Sequence, residues 1–197
     1  MMLFYFLAIA NPFCEFSPDN NIIKHLKPAP GKDNFNQIAG IDFIYMINLD
    51  KRPEKWDKTR LEFERYGIKP YRFSAVNGWE LPFETIQDVG LVFSPGMTPL
   101  MAWTYVQVDN SVVENPQYMS RYGQTYFGHN LSLGAIGINL SHLSVLYDAY
   151  QSGFETIWVV EDDVLVHDNP HRLTELLDEL DKIKGYKGWD LVSYTHL

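Results

Sequence analysis

The chain has little cysteine, little positive charge and no long apolar run. A single cysteine, Cys14, among 197 residues excludes a disulfide framework within the chain and a zinc site built on cysteine. The 16 Lys and Arg residues are outnumbered by 25 Asp and Glu residues, which gives a net charge of −9. Nucleic-acid binding needs a positively charged surface, so we expect no nucleic-acid partner.

Several short signatures of nucleotide and acyl chemistry are also absent. The sequence contains no Walker-type phosphate loop, no G-x-G-x-x-G and no G-x-S-x-G, so it lacks the usual markers of P-loop, dinucleotide-binding and α/β-hydrolase proteins. Hydrophobic residues make up 46% of the chain and charged residues 21%. This composition is that of a folded globular protein and excludes a disordered chain.

The amino terminus begins with a short apolar run over residues 2–10. A membrane-spanning helix needs about 20 such residues, so the run is too short to cross a bilayer. It ends in Ala8-x-Ala10, which is similar to a signal cleavage site, although no basic residues precede it. A secretion or membrane signal and a disordered or docked tail both stay open. We interpret residues 1–40 as an irregular segment with a short apolar start.

The segments with a clear hydrophobic pattern alternate between predicted strands and predicted helices. Almost continuous apolar runs predict strands covered on both faces over 41–49 and 156–160, and shorter runs predict strands over 71–75 and 189–194. Helices are predicted from Pro53 to about Tyr66, from about Leu140 to Gly153, and from Pro170 to about Ile183. Strand, helix and strand with short links indicate a parallel sheet, so the predicted class is α/β, Rossmann-type, with helices flanking a mostly parallel sheet.

Residues 77–133 show no sustained helical or strand periodicity in their apolar residues. Long irregular segments within compact domains are usually functional loops. An alternative is a small insertion with its own apolar cluster around Leu100, Trp103 and Tyr105. We expect the irregular loop or insertion to cover about 79–130.

The sharpest chemical feature is the acidic run Glu161-Asp162-Asp163, directly after the second buried strand. Adjacent carboxylates repel each other unless a positive group lies among them, and Mg²⁺ and Mn²⁺ favour carboxylate oxygen. Ligands of open α/β sheets bind beyond the carboxyl ends of the strands. The run therefore predicts a metal that bridges to a diphosphate, and a solvated acidic turn is the alternative. Alternation along an extended chain predicts that Glu161 and Asp163 point one way and Asp162 the other.

Two weaker features follow other predicted elements. Asn48-Leu49-Asp50-Lys51-Arg52 ends the first strand, where the next helix amino terminus and Arg52 could hold a phosphate. The alternative is a helix capped by Asp50 with a basic pair on its surface.

Ser141-His142 is predicted in the first turn of a helix, after Gly134 and Gly137, whose lack of a side chain permits close approach of a ligand. The histidine could be a base, a phosphate donor or a buried structural residue.

These pieces together resemble glycosyltransferase family 25, which includes bacterial lipooligosaccharide and animal procollagen galactosyltransferases. The resemblance covers about 41–78 and 130–194, and it rests on three motifs in order: Ile47-Asn48-Leu49-Asp50-Lys51-Arg52-Pro53, Gly134-x-x-Gly137-x-x-Leu140-Ser141-His142-Leu143, and Val160-Glu161-Asp162-Asp163-Val164. It implies a GT-A fold over residues 41–197, a UDP-sugar donor and a Mn²⁺ or Mg²⁺ ion.

The resemblance also implies roles for individual residues. Glu161, Asp162 and Asp163 would correspond to the metal-binding D-x-D motif. The residues implied near the nucleotide sugar are Asn48, Leu49, Arg52, Gly134, Gly137, Ser141 and His142. Members of the family usually continue beyond the equivalent of Leu197, so we expect the carboxyl-terminal part of the fold to be truncated. The catalytic base is then unknown, with His142 and Asp190 as candidates.

The function implied is metal-dependent transfer of a hexose, galactose in many members, to a saccharide or glycolipid acceptor, as in lipopolysaccharide assembly. The alternative is a truncated nucleotide-binding remnant with weak or no activity. We expect a cytoplasmic protein with peripheral membrane association, or a secretory one if the apolar start is a signal.

Overall fold

The computed structural model of the protein describes residues 4–8, 21–33, 37–128, 131–189 and 191–194. The chain divides into two compact units. The first takes its described residues from 1–15, 27–75 and 141–197, and the second takes them from 16–26 and 76–140. Within the described residues, no helix has both the length and the apolar character needed to cross a membrane.

Strands and helices follow one another along the chain in this order: β1 Phe4–Ala8, β2 Phe43–Asn48, α1 Pro53–Glu64, β3 Tyr71–Ser74, α2 Phe83–Val89, β4 Leu91–Val92, β5 Leu100–Val108, β6 Ser111–Met119, β7 Thr125–Tyr126, α3 Leu133–Gln151, β8 Thr156–Glu161, α4 Leu173–Lys184 and β9 Leu191–Tyr194. Short 3-10 helices lie at Ile23–His25, Gly78–Glu80 and Pro170–Arg172.

The first unit contains a five-stranded sheet with the order β3-β2-β8-β1-β9. Strand β2 pairs in parallel with both β3 and β8, and β1 pairs antiparallel with β8 and β9. The α/β class and the four strands predicted after residue 40 are confirmed. The amino-terminal prediction needs a correction, because residues 4–8 of the supposedly irregular segment form β1. Pairing on both sides satisfies the backbone polar groups of this apolar run.

Both faces of this sheet are apolar. Alternate residues of β2 and β8 contribute to two separate clusters: Ile44, Met46, Trp158 and Val160 on one face, and Phe43, Tyr45, Ile47, Ile157 and Val159 on the other. The first cluster also contains Phe63 of α1 and Leu173 of α4, whereas the second contains Val145 and Ala149 of α3. Because a strand sends successive side chains to opposite faces, the continuous apolar runs confirm a sheet covered on both sides.

Two helix starts differ from the predictions. Helix α1 begins at Pro53 as expected, but its cap position is Arg52 and no side chain caps it. Asp50 instead accepts a hydrogen bond from the Ser74 hydroxyl at 2.6 Å. Helix α3 begins at Leu133, so Gly134 and Gly137 lie within it. Burial of Ile136 in the second unit's core compensates for the low helix propensity of glycine.

The second unit contains a regular hairpin where the sequence predicted an irregular loop or insertion over 79–130. Strands β5 and β6 pair antiparallel from Leu100 with Met119 to Val108 with Ser111. The two-residue turn places Asp109 at a φ of 53°, in the left-handed region that Asp tolerates better than most residues. Tyr105 is buried in a cluster with Phe127 and residues of α2 and α3, and Trp103 packs against it. The proposed cluster around Leu100, Trp103 and Tyr105 is therefore only partly confirmed, because Leu100 is exposed.

Candidate functional site

Polar side chains of the first unit gather where β2, β3 and β8 end. These strands are parallel, so their carboxyl ends meet at one edge of the sheet, the usual ligand-binding edge of α/β proteins. Asn48 ends β2, Ser74 ends β3 and Glu161 ends β8. We call this edge, with Lys55 and the turn at Asp162 and Asp163, the acidic edge.

Asn48 joins the three strand ends. Its side chain is 1% exposed, and its amide nitrogen donates to the Arg52 carbonyl at 2.9 Å and to Asp162 Oδ2 at 2.6 Å. Its amide oxygen accepts from Arg72 Nε at 2.8 Å and from a terminal nitrogen of the same guanidinium at 2.6 Å. An asparagine amide offers two donors and two acceptor sites, and all four are used. The Asn48 side chain therefore orients Asp162 and Arg72.

Asp162 and Asp163 share one positive group. Lys55 Nζ lies 3.6 Å from Asp162 Oδ1 and 3.5 Å from Asp163 Oδ2. The Asp162 side chain is 13% exposed and that of Asp163 is 61% exposed. The predicted pairing of Glu161 with Asp163 is wrong because β8 ends at Glu161 and the next two residues form a turn, where strand alternation no longer holds.

The turn that carries these carboxylates is anchored to α1. The hydroxyl of the buried Thr59 donates to the backbone carbonyl of Asp162 at 2.6 Å. Thr59 and Lys55 lie four residues apart and therefore on the same face of α1. One helix face thus holds both the backbone and the charge of the acidic turn.

Glu161 has a different partner from its two acidic neighbours. His142 Nε2 lies 3.2 Å from Glu161 Oε1. This contact lowers the pKa of the Glu161 carboxyl below its ordinary value, while partial burial of the carboxyl opposes the shift. His142 was expected in the first turn of its helix. It lies ten positions into α3 instead, because α3 begins at Leu133.

The other residues predicted near a nucleotide sugar have varied environments. The Arg52 side chain is half exposed and donates to Glu54 at 2.7 Å. Leu49 packs on the apolar cluster that contains Tyr45, and Ser141 is buried at 1% exposure. Of these three, Arg52 presents a charge to solvent beside the acidic edge.

Gly134 and Gly137 lie in the second unit, where their surroundings differ. A Cβ atom added at Gly137 would lie 2.5 Å from the Gly78 nitrogen and 2.7 Å from the Val76 carbonyl oxygen. A Cβ atom at Gly134 would meet nothing closer than the Trp79 indole nitrogen at 3.5 Å. Close packing of α3 on the Gly78 backbone therefore requires glycine at position 137. The expected approach of a donor to either glycine stays a prediction.

Three contributors to the acidic edge were missed by the sequence predictions: Lys55, Thr59 and Arg72. A charged residue in the short predicted strand 71–75 was a signal for Arg72, because charged side chains are rarely buried without a partner. Lys55 and Thr59 gave no signal beyond their four-residue spacing in α1. Asp190, a candidate base, lies outside the described residues.

The carboxylates of the acidic edge are suitable ligands for a divalent cation, but they do not form a complete set of protein ligands. Among the described residues, no group of three His, Cys, Asp or Glu side chains converges as a metal site. Asp162 and Asp163 do face a shared positive group, the Lys55 ammonium. Mg²⁺ in proteins is commonly held by one or two carboxylates together with substrate phosphates and water. Two carboxylates at a strand edge meet that requirement.

Comparison with known proteins identifies the family. The model of the family described as "Glycosyltransferase family 25 (LPS biosynthesis protein)" matches residues 41–196. The chain belongs to glycosyltransferase family 25. The resemblance in the three sequence motifs is thereby confirmed, and β2, α3, β8 and the acidic turn all lie within the matched range.

Curated relatives carry the same family name. A "Glycosyltransferase 25 family member" of Aedes aegypti is 28% identical over 172 residues, which cover 87% of this chain and 23% of the relative. The human "Inactive glycosyltransferase 25 family member 3" is 26% identical over 154 residues, 78% of this chain and 21% of the relative. The chain thus spans about a fifth of the length of these relatives. No solved structure matches with significance.

Proposed function

We propose that the protein transfers a hexose, galactose in the first instance, from a UDP-sugar to a hydroxyl of a saccharide or glycolipid acceptor, with the help of Mn²⁺ or Mg²⁺. Membership of glycosyltransferase family 25 supports sugar transfer. The observation that carries the proposal is the pair of carboxylates, Asp162 and Asp163, held at the carboxyl edge of the sheet beside a cationic side chain.

The reaction separates charge, and the acidic edge has groups for each part. The acceptor oxygen attacks the anomeric carbon, the bond from that carbon to the diphosphate oxygen breaks, and UDP leaves with the electron pair. A bound divalent cation would neutralise the growing diphosphate charge as a Lewis acid. Asp162 and Asp163 would hold that ion, and the half-exposed guanidinium of Arg52 would contact phosphate oxygen.

The acceptor hydroxyl must lose a proton as it attacks. We assign this step to His142, whose Nε2 lies 3.2 Å from the Glu161 carboxylate. A carboxylate beside an imidazole orients the ring and stabilises its protonated form. In this assignment the proton moves from the acceptor oxygen to His142, and Glu161 balances the new charge.

The alternative is a nucleotide-binding protein without transfer activity. The names of the human and mouse relatives, "Inactive glycosyltransferase 25 family member 3", favour it for those proteins. In this chain, the single charge of Lys55 already offsets part of the negative charge of the two carboxylates, which would help the turn to persist without a metal. Under this reading UDP binds but no sugar is transferred or released.

A titration of UDP with and without Mn²⁺ tests the metal and nucleotide parts of the proposal. We expect Mn²⁺ to tighten UDP binding by about tenfold or more in the wild-type protein, since a shared cation couples the two ligands. In Asp163→Asn this gain should largely disappear. Asp168→Asn is the matched control, because Asp168 is an exposed carboxylate paired with Arg172. Equal UDP affinity under all conditions would contradict the metal-dependent site.

A turnover assay distinguishes sugar transfer from the alternative of a nucleotide-binding protein without activity. With UDP-galactose and Mn²⁺, release of UDP should be measurable and should fall by about 100-fold or more in His142→Asn, in line with loss of a general base. UDP binding with no release of UDP from the donor would instead support the inactive alternative.

Where the protein works and what it glycosylates are also proposals. We propose lipopolysaccharide or lipooligosaccharide assembly at the cytoplasmic face of a membrane, because the matching family is described as an LPS biosynthesis protein. A secretory location would follow if residues 2–10 act as a signal. Fractionation of cells that express the tagged chain distinguishes the two locations.

A further inference from the structure

Lys55 occupies a place at the acidic edge that the proposed function gives to a metal ion. Its ammonium contacts both Asp162 and Asp163, at 3.6 and 3.5 Å. The Lys55 side chain is only 33% exposed, so bulk water screens this charge less than that of a fully exposed surface lysine. The two carboxylates therefore already have a tethered counter-charge within the chain.

The position of Lys55 is set by the fold. It lies in the first turn of α1, and Thr59 on the same face donates to the Asp162 carbonyl at 2.6 Å. Asn48 fixes the other oxygen of the Asp162 carboxylate at 2.6 Å. These two hydrogen bonds hold α1 against the turn and Asp162 against β2. The ammonium can therefore move away from the two carboxylates mainly by rotation of the Lys55 side chain itself.

We propose that Lys55 competes with the divalent cation for Asp162 and Asp163. In the absence of nucleotide, this competition lowers the affinity of the two carboxylates for the cation. This inference rests on the proposed function, because it takes the same pair as the metal ligands. A cation that enters the pair must displace the ammonium or accept its repulsion, and either costs binding free energy. A bound diphosphate offers the displaced ammonium new oxygen partners, so Lys55 would favour metal binding together with the nucleotide over metal binding alone.

Direct measurement of Mn²⁺ binding without nucleotide tests this competition. The free Mn²⁺ signal in electron paramagnetic resonance reports binding independently of any activity. We expect Lys55→Gln to bind Mn²⁺ about three- to tenfold more tightly than the wild type, as expected when a like charge leaves the pair. Lys55→Arg, which keeps the charge, should bind as the wild type does.

A matched control removes the same charge from another place on α1. Lys58 is an exposed residue of this helix, and Lys58→Gln should leave Mn²⁺ affinity within twofold of the wild type. Equal Mn²⁺ affinity in Lys55→Gln and Lys58→Gln overturns the competition, and so does tighter binding in both, which would show a general effect of net charge. An additional Asp163→Asn change in Lys55→Gln should abolish the gain.

Melting curves keep the test decisive if Lys55→Gln folds less well. Without metal this variant should melt below Lys58→Gln, since two carboxylates lose their counter-charge. Added Mn²⁺ should raise its melting temperature more than that of the wild type, and an equal rise in both overturns the inference. The UDP titration and turnover experiments judge the proposed function separately, because a failed competition leaves Mn²⁺-dependent UDP binding and sugar release unchanged.

Discussion

The acidic edge of the first unit and the glycine contact of the second unit are held by opposite means. At the acidic edge, polar side chains saturate one another: Asn48 uses all four of its hydrogen-bonding positions, and Asp162 meets both Asn48 and Lys55. The glycine contact is the place where α3 packs against the Gly78 backbone, which is possible because Gly137 has no side chain. The acidic edge depends on polar side chains that are present, whereas the glycine contact depends on the absence of a side chain at Gly137. Removal of a polar side chain should therefore destabilise the acidic edge, and addition of a side chain should destabilise the glycine contact.

The largest effect is expected at the glycine contact. In Gly137→Ala the new Cβ would lie 2.5 and 2.7 Å from backbone atoms of Gly78 and Val76, and backbone cannot move aside cheaply, so we expect a loss of about 3 kcal/mol of stability. Gly134→Ala is the matched control in the same helix, where the nearest atom is at 3.5 Å. It should stabilise the protein by up to about 1 kcal/mol through helix propensity. Chemical denaturation measures both, and equal stability of the two variants would remove the packing explanation.

The next effect is expected from removal of the amide at the acidic edge. Asn48→Ala removes the amide that hydrogen-bonds both Arg72 and Asp162 Oδ2. The long ionic contacts of these side chains with Asp50 and Lys55 remain, and we expect a loss of about 2–3 kcal/mol. Asn115→Ala in the hairpin is the control, because its amide nitrogen makes only a long contact of 3.4 Å to Thr104. This variant should stay within about 0.5 kcal/mol of the wild type. Similar losses in both variants would mean that Asn48 has no special role.

A smaller effect should come from the hairpin turn. Asp109 has a φ of 53°, and a β-branched residue there should cost about 1–2 kcal/mol. Asp109→Val should therefore lower the melting temperature, whereas Asp109→Gly should keep or raise it. If valine is tolerated as well as glycine, the turn does not hold this backbone conformation in solution.

The smallest effect concerns the pH dependence of stability. The folded protein lowers the pKa of Glu161 from the ordinary value of 4.5, chiefly through His142. A lowered pKa stabilises the folded state above that ordinary value, and the gain is lost as the pH falls through the folded-state pKa. Melting temperatures of the wild type and Glu161→Gln should therefore converge as the solution is acidified. A constant difference across the acid range would contradict this linkage.

The strands of the first unit were predictable because burial on both faces demands continuous apolar runs. Strands β2 and β8 lie within one residue or two of their expected ends, and the chemistry at their carboxyl ends was visible as Asn48 and the acidic run. The hairpin was missed because strand β6 is largely exposed and carries polar residues at many positions, and because its partner β5, although mainly apolar, buries only three of its nine residues. The dipeptide Asp109-Asn110 between two nine-residue stretches was the available signal.

The helix that carries Ser141 and His142 shows a different limit. Two glycines near its start suggested a later beginning, since glycine disfavours helix. The structure continues the helix through them because Gly137 packs on Gly78 and because Ile136 and Leu140 are buried. Such compensation depends on residues about 60 positions away and leaves no local pattern.

By itself, the sequence determined the α/β class, the family and the placement of acidic and amide residues at strand ends, because hydrophobic periodicity and motif order are local properties of the chain. Only the tertiary structure decided that Lys55, Thr59 and Arg72 join those residues. It also decided that Asp162 and Asp163 share Lys55 while Glu161 contacts His142, and that Gly137 is required for packing. Those outcomes depend on which helix face and which strand neighbour come together, and such contacts are set by packing between segments far apart in the chain.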